Sequence, residues 1–140
     1  MQTLKSMAAI LLAGSLALPG LQAAAATPAE IQKSLENAAR ASTPGFSGFS
    51  PERGQRFFNS THGNDWSCTS CHTSVPAQPG KHVKTGKVIA PMAPAANPQR
   101  FTDTAKVEKW FKRNCKDVLG RVCTAREQGD VLAYLMSAAK

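Results

Sequence analysis

Five residues constrain this chain more than any others: Cys68-Thr69-Ser70-Cys71-His72, a C-x-x-C-H run. Two thiols at this spacing each reach one vinyl group of the same porphyrin to form a thioether, and the His after the second ligates iron from the proximal side. The expectation is one covalently bound haem c. Cys68 and Cys71 are its anchors and His72 its fixed ligand through one ring nitrogen, while the other nitrogen is expected to donate to a backbone carbonyl. A redox C-x-x-C expects alternating strands and helices, and half of a zinc site needs a second pair of suitable spacing. Neither context is present.

Bacterial haem attachment of this kind needs an exported chain, and the N-terminus supplies the signal. Lys5, the apolar run Met7–Leu18, a Pro19-Gly20 break and the small residues Ala23–Ala26 have the form of a secretory signal peptide cut after Ala26. The run is too short to span a bilayer. Residues 1–26 therefore read as signal and 27–140 as one monohaem cytochrome c domain, periplasmic and without a membrane span after cleavage. The 17 Lys and Arg exceed the 9 Asp and Glu for a net charge of +8, and Lys5 is the one charge in the export segment. Nucleic acid is not the expected partner outside the cytoplasm. The excess reads either as a surface that steers an acidic redox partner or as a plain solvated basic surface. With two cysteines given to haem, Cys115 and Cys123 are expected to pair in an oxidising compartment. Closing so short a loop is worth about 2.5 kcal/mol in the chain-entropy account. Metal ligation by the pair is the alternative, and it lacks nearby partners.

Helix signals recur along the mature chain. Thr27-Pro28-Ala29-Glu30 has the form of a capping box with Pro at the first helical position, which predicts a helix over residues 28–41 carrying Ile31 and Leu35 inward. Ser50-Pro51-Glu52 starts a second, with Phe57 and Phe58 leading toward the haem motif. Between Thr73 and Arg100 the prolines at 76, 79, 91, 94 and 98 forbid a long helix and predict an irregular loop that wraps the haem. Lys81, His82, Lys84, Lys87 and Arg100 lie there, each a candidate for a haem propionate or simply exposed. A cap candidate at Thr102-Asp103-Thr104 opens a further helix with Val107, Trp110, Phe111, Asn114, Cys115 and Val118 on one face and Lys106, Lys109, Lys112, Arg113 and Lys116 outside. Gly120 stops it. Thr124 and Glu127 form another capping box, opening a last helix expected to bury Val131, Leu132, Leu135 and Met136. The fold class is all-α.

The distal ligand decides among electron transfer, ligand binding and activation. Met92 stands twenty residues past His72 in a proline-framed loop (IAPMAP), the setting in which class I cytochromes c present a thioether to iron; its plainer reading is a core gap-filler. His62 and His82 sit in polar loops where solvated histidines are the rule. Asn114 is a polar residue on an apolar stripe and needs a partner, which a backbone carbonyl or an iron would supply.

The runs SPERGQRFF, CTSCH and TGKVIAPMAPAANPQRFTDTAKVEKWFKRNCKDVLGRVCT closely resemble the sphaeroides haem protein family, to which cytochrome c″, with a His as distal ligand, is related. The resemblance spans about residues 50–136. It implies a class I cytochrome c-like fold, here with an additional N-terminal helix and the haem-wrapping loop. It also implies that Asn114, just before the first Cys of a Cys115–Cys123 bridge, ligates ferric iron and leaves on reduction. Oxygen and nitric oxide as ligands, a dihaem cytochrome c as redox partner and reactivity toward small nitrogen oxides are implied in the same way. Met92 departs from the family pattern, in which an aliphatic residue takes that place. A thioether there would favour ferrous iron and close the site, so the competing reading is a simple electron carrier with permanent His72 and Met92 ligands. No catalytic acid or base stands out in the sequence.

Overall fold

Thr27 opens the first helix as the spacing predicts. Its Oγ1 accepts from Glu30 N–H at 3.2 Å, and Glu30 Oε2 accepts from Thr27 N–H at 2.7 Å. The structure, a computed structural model, describes residues 25–139, so the expected signal peptide lies outside it apart from its last two residues. Helix α1 runs Pro28–Ser42, one residue past the expected end, and α2 (Pro51–Asn59) starts from a Ser50 side chain that accepts from Arg53 N–H. The haem motif forms a single turn, α3 (Thr69–His72). Helix α4 (Thr104–Leu119) is capped by Asp103, which accepts from Lys106 N–H, and ends at Gly120 with φ +71°. Helix α5 (Ala125–Ser137) begins at the second capping box, Thr124 with Glu127. Among the described residues no helix is long and apolar enough to cross a membrane.

The proline-rich loop contains one element that the sequence reading missed. Strands β1 (Gly80–Lys81) and β2 (Val88–Ile89) pair antiparallel, Gly80 opposite Ile89 and Lys81 opposite Val88. Two residues per strand are too few to show the two-residue periodicity by which strands are recognised.

Helix α5 is the hub, with α1 and α2 both packed against it. Ile31, Phe58, Phe101, Val131, Leu132, Tyr134 and Leu135 form the buried cluster. Met136, expected in that cluster, is 36 % exposed. It lies one residue beyond Leu135, about 100° further round the helix and past the edge of the buried stripe. Trp110, expected on the inward stripe of α4, is 44 % exposed on the flank of that helix.

The α2–α5 crossing is close because Gly54 has no side chain. A Cβ there would lie 1.9 Å from the carbonyl oxygen of Asp130. Beside it the Asp130 carboxylate, 5 % exposed, accepts from Ser50 N–H at 2.7 Å and from Arg53 Nε and Nη2 at 2.8 Å each. One carboxylate thus holds the start of α2 against α5. Helix propensity alone would favour Gly54→Ala by about 1 kcal/mol. The clash is with a backbone atom that cannot rotate away, so the crossing wins and Gly54→Ala is expected to destabilise by about 1–3 kcal/mol. Thermal unfolding measures this; an unchanged melting temperature would contradict so close a crossing.

Candidate haem centre

The turn that presents the motif is built from small hydroxyls. Ser67 N–H donates to Ser70 Oγ at 3.0 Å, and Ser67 Oγ lies 2.6 Å from Thr69 Oγ1. The N–H groups of Cys71 and His72 both donate to Cys68 O, at 3.3 and 3.0 Å. Thr73, at φ +61°, ends the turn. One helical turn therefore brings Cys68, Cys71 and His72 to the same side, at i, i+3 and i+4. Gly80 holds the hairpin on this turn: a Cβ there would lie 2.0 Å from Cys71 O. Sequence reasoning passed over Gly80, whose only signal is a Pro-Gly pair inside a stretch read as irregular.

The electrostatics suit ligation. Burial, with smaller contributions from the charges of Arg100 and His82, lowers the His72 pKa to about 4, so the ring is neutral at ordinary pH and keeps a lone pair for a metal. His72 Nδ1 is buried with no hydrogen-bond partner among the described residues. The expected acceptor for a ring nitrogen is therefore not in place. The carbonyl of Pro76, four residues on, accepts instead from Met92 N–H at 2.8 Å and Ala93 N–H at 2.9 Å. Cys68 and Cys71 take no part in a disulfide, and burial pushes the Cys68 thiol up to about 11. Phe58 lies 6.2 Å from the His72 ring, centroid to centroid, and Cys68, Phe57, Met92, Val107 and Phe111 all pack on the core cluster that contains Phe58. No group of three or more His, Cys, Asp or Glu able to hold a metal ion occurs among the described residues. Two thiols and a neutral imidazole on one apolar-walled turn fit a porphyrin iron, which brings its own equatorial nitrogens.

The distal candidates separate clearly. His82 Nδ1 accepts from the N–H groups of Lys84 and Thr85 at 3.2 and 3.3 Å, which leaves the proton on Nε2 and no lone pair for iron. His62 Nε2 lies 2.8 Å from Phe57 O, with the two rings 4.3 Å apart. Met92 is half-buried, bound through its N–H to the segment following His72 and packed on the α1, α2 and α5 core. Asn114 is half-buried on α4, on the side that carries Val107, Phe111 and Val118. Asn64 and Asn97 spend their amides on Val118 O and Pro91 O. The carboxamide of Asn114 has no such bond among the described residues, although a backbone carbonyl was one of the two partners its sequence context suggested. The next residue, Cys115, is joined to Cys123, with Cα atoms 5.6 Å apart.

Of the loop cations, Arg100 is half-buried beside His72. Its guanidinium donates to Pro91 O at 2.8 Å and to Ala90 O, and burial lowers its pKa. Lys84 turns to the half-buried ring of Trp66, with Nζ 4.7 Å from the centroid, while Lys81 and Lys87 are exposed.

Comparison with known proteins matches residues 44–135 to a family described as a domain of unknown function, DUF1924. The chain is 43 % identical over 130 residues to the cytochrome c-type protein SHP of Cereibacter sphaeroides, covering 90 % of this chain and 95 % of that protein. It is 41 % identical over 108 residues to cytochrome c″ of Methylophilus methylotrophus, covering 74 % and 75 %. The solved structure of oxidized SHP, described as an oxygen-binding cytochrome c, superposes with a TM-score of 0.70 at 43 % identity over 79 % of this chain and 96 % of that one. Oxidized cytochrome c″ superposes with a TM-score of 0.72 at 38 % identity over 81 % and 95 %. With its C-x-x-C-H turn inside the matched span, the chain belongs to the DUF1924 family and to the SHP-like monohaem cytochromes c.

Proposed function

We propose that the protein is a periplasmic cytochrome that binds oxygen or nitric oxide at ferrous haem and exchanges electrons with a redox partner. Held by thioethers to Cys68 and Cys71, the haem supplies an iron that moves between ferric and ferrous and accepts a diatomic ligand in the reduced state. His72 is its permanent ligand. Asn114 is the displaceable one, and the carrying observation is its half-buried carboxamide, which no other described residue engages.

A neutral amide oxygen is a weak, hard donor. It would suit ferric iron better than ferrous, so Asn114 would hold the ferric state and would yield to a π-accepting diatomic once the iron is reduced. Cys115 and Cys123 brace the end of α4 so that the released side chain moves while the helix stays. Arg100, half-buried next to His72, is the loop cation best placed to neutralise a propionate. SHP of C. sphaeroides, described as oxygen-binding, supports the same reading for this chain. The competing reading, a His72–Met92 electron carrier, requires Met92 to leave its packing on the α1, α2 and α5 core.

Stopped-flow mixing of the dithionite-reduced protein with nitric oxide and with oxygen tests the proposal. Both are expected to change the visible spectrum, and no change on reduction or on mixing would overturn it. Met92→Leu is expected to leave the ferric and ferrous spectra unaltered; loss of a low-spin ferrous spectrum would establish the competing reading.

Asn114→His replaces the amide oxygen with an imidazole nitrogen, a stronger ligand that competes better with a diatomic for iron. Nitric oxide association is then expected to slow by more than about tenfold, the change that follows from a further 1.4 kcal/mol or more of barrier. Unchanged association would show that residue 114 does not face the iron.

A further inference from the structure

Five cations of α4, Lys106, Lys109, Lys112, Arg113 and Lys116, are all exposed. The ion pairs among the described residues lie elsewhere, at Lys33–Glu36, Arg40–Glu36, Arg53–Asp130 and Arg121–Glu127. Glu108 and Asp117, the acids of the same helix, pair with none of the five. At the edge of this stripe, toward the inward side of α4, Trp110 is 44 % exposed. The Arg113 guanidinium carbon lies 5.3 Å from its ring centroid and Lys109 Nζ lies 6.0 Å from it. An exposed indole between unpaired cations is neither a core residue nor an ordinary solvated surface. Trp and Arg are the residues most enriched among those that dominate binding energy at protein interfaces. Cations held over the ring reach a partner with little further loss of side-chain freedom.

We propose that this outer face of α4 is the docking surface for an acidic protein, with Trp110 as its anchor and Lys109 and Arg113 as its principal charges. The inference rests on the redox reading above and says where the electron enters. Trp110 stands one turn before Asn114, at i and i+4 on neighbouring parts of the helix surface, so a partner seated on it comes within one helical turn of Asn114. A second copy of the chain is not the occupant, because a two-fold contact would set the same five cations against themselves in a protein of net charge +8. Nor is a lipid sheet. Glu108 and Asp117 border the basic stripe, and such a pattern complements a shaped acidic surface better than a uniform anionic plane.

The test uses the haem-loaded protein and a flavodoxin, an acidic soluble one-electron carrier, as the probe. Affinity is read by titration calorimetry at low and high ionic strength, and electron transfer by stopped flow. The Lys109→Glu/Arg113→Glu pair is expected to weaken binding by about tenfold or more at low salt and to flatten its salt dependence. Trp110→Ala is expected to cost about fivefold with the salt slope retained, since the ring contributes buried area and not net charge. Lys81→Glu/Lys87→Glu makes the same change of net charge on the hairpin and is expected to shift affinity by less than about twofold. Equal losses from the two double variants would overturn the proposal, as would binding that none of the three alters. Sedimentation with phosphatidylglycerol vesicles but no heat with flavodoxin would assign the face to lipid, and a dimer abolished by Trp110→Ala would assign it to self-association; either overturns the proposal. Titration heat does not depend on what ligates iron, so failure to take up nitric oxide would reject the proposed function while leaving docking to be judged separately.

Discussion

The buried Asp130 carboxylate is the interaction on which the rest of this structure depends. It sits on α5 yet takes the N–H of Ser50 at the α2 cap and two N–H groups along one edge of the Arg53 guanidinium, contacts that span 77 and 80 residues of chain. An ionised carboxylate removed from water is costly unless its lone pairs are met, and here three donors meet them. The consequence is geometric. With the start of α2 held at Asp130 and Gly54 resting on the Asp130 carbonyl, Phe58 at the far end of α2 is delivered between Tyr134 on one side, 5.7 Å away, and the His72 ring on the other, 6.2 Å away. The wall behind His72 is thus set by a polar contact one helix length away.

Stability is distributed unevenly around the haem. Helices α1 and α2 pack on α5, and Phe58 of that body faces the His72 ring, whereas α4 is joined to it through its own inward residues and the Cys115–Cys123 bridge. A ligand proposed to let go is better carried on the less embedded element, because its motion then disturbs little of the core. Asn114 lies on that element, and His72 on the α3 turn backed by Phe58. The bridge limits what can move, since it ties the C-terminal end of α4 to the start of α5 directly after the residue in question.

The local parts of this arrangement were legible in the sequence because they follow from short-range rules. Thr27 with Glu30, Ser50 with Pro51, Thr124 with Glu127 and Gly120 mark helix ends through contacts within four residues, and the C-x-x-C-H turn announces its own chemistry. What could not be read depends on long-range contacts. Gly54 and Gly80 look like ordinary glycines until a carbonyl from another element is found against them. Asp130, an acid among apolar residues, becomes intelligible only when Ser50 and Arg53 arrive. Trp110 was misplaced because helical periodicity assigns a side, not a depth. It is next to the inward stripe, and Arg113 and Lys109 hold it at the rim.

That misplacement says something about how a small cytochrome divides one helix between two tasks. An inward indole at position 110 would compete with Val107 and Phe111 for the core cluster on which they pack. It would also crowd Asn114, one turn further on, the side chain proposed to swing. Turned outward, the same indole leaves that space free and joins the cations in a surface that an acidic partner can recognise. On the two proposed readings the 16-residue α4 serves both ligand exchange and partner recognition, and Trp110 and Asn114, neighbours at i and i+4, stand where the two surfaces meet. A partner at Trp110 would therefore sit one turn from the residue proposed to release iron while α4, braced by Cys115–Cys123, stays in place.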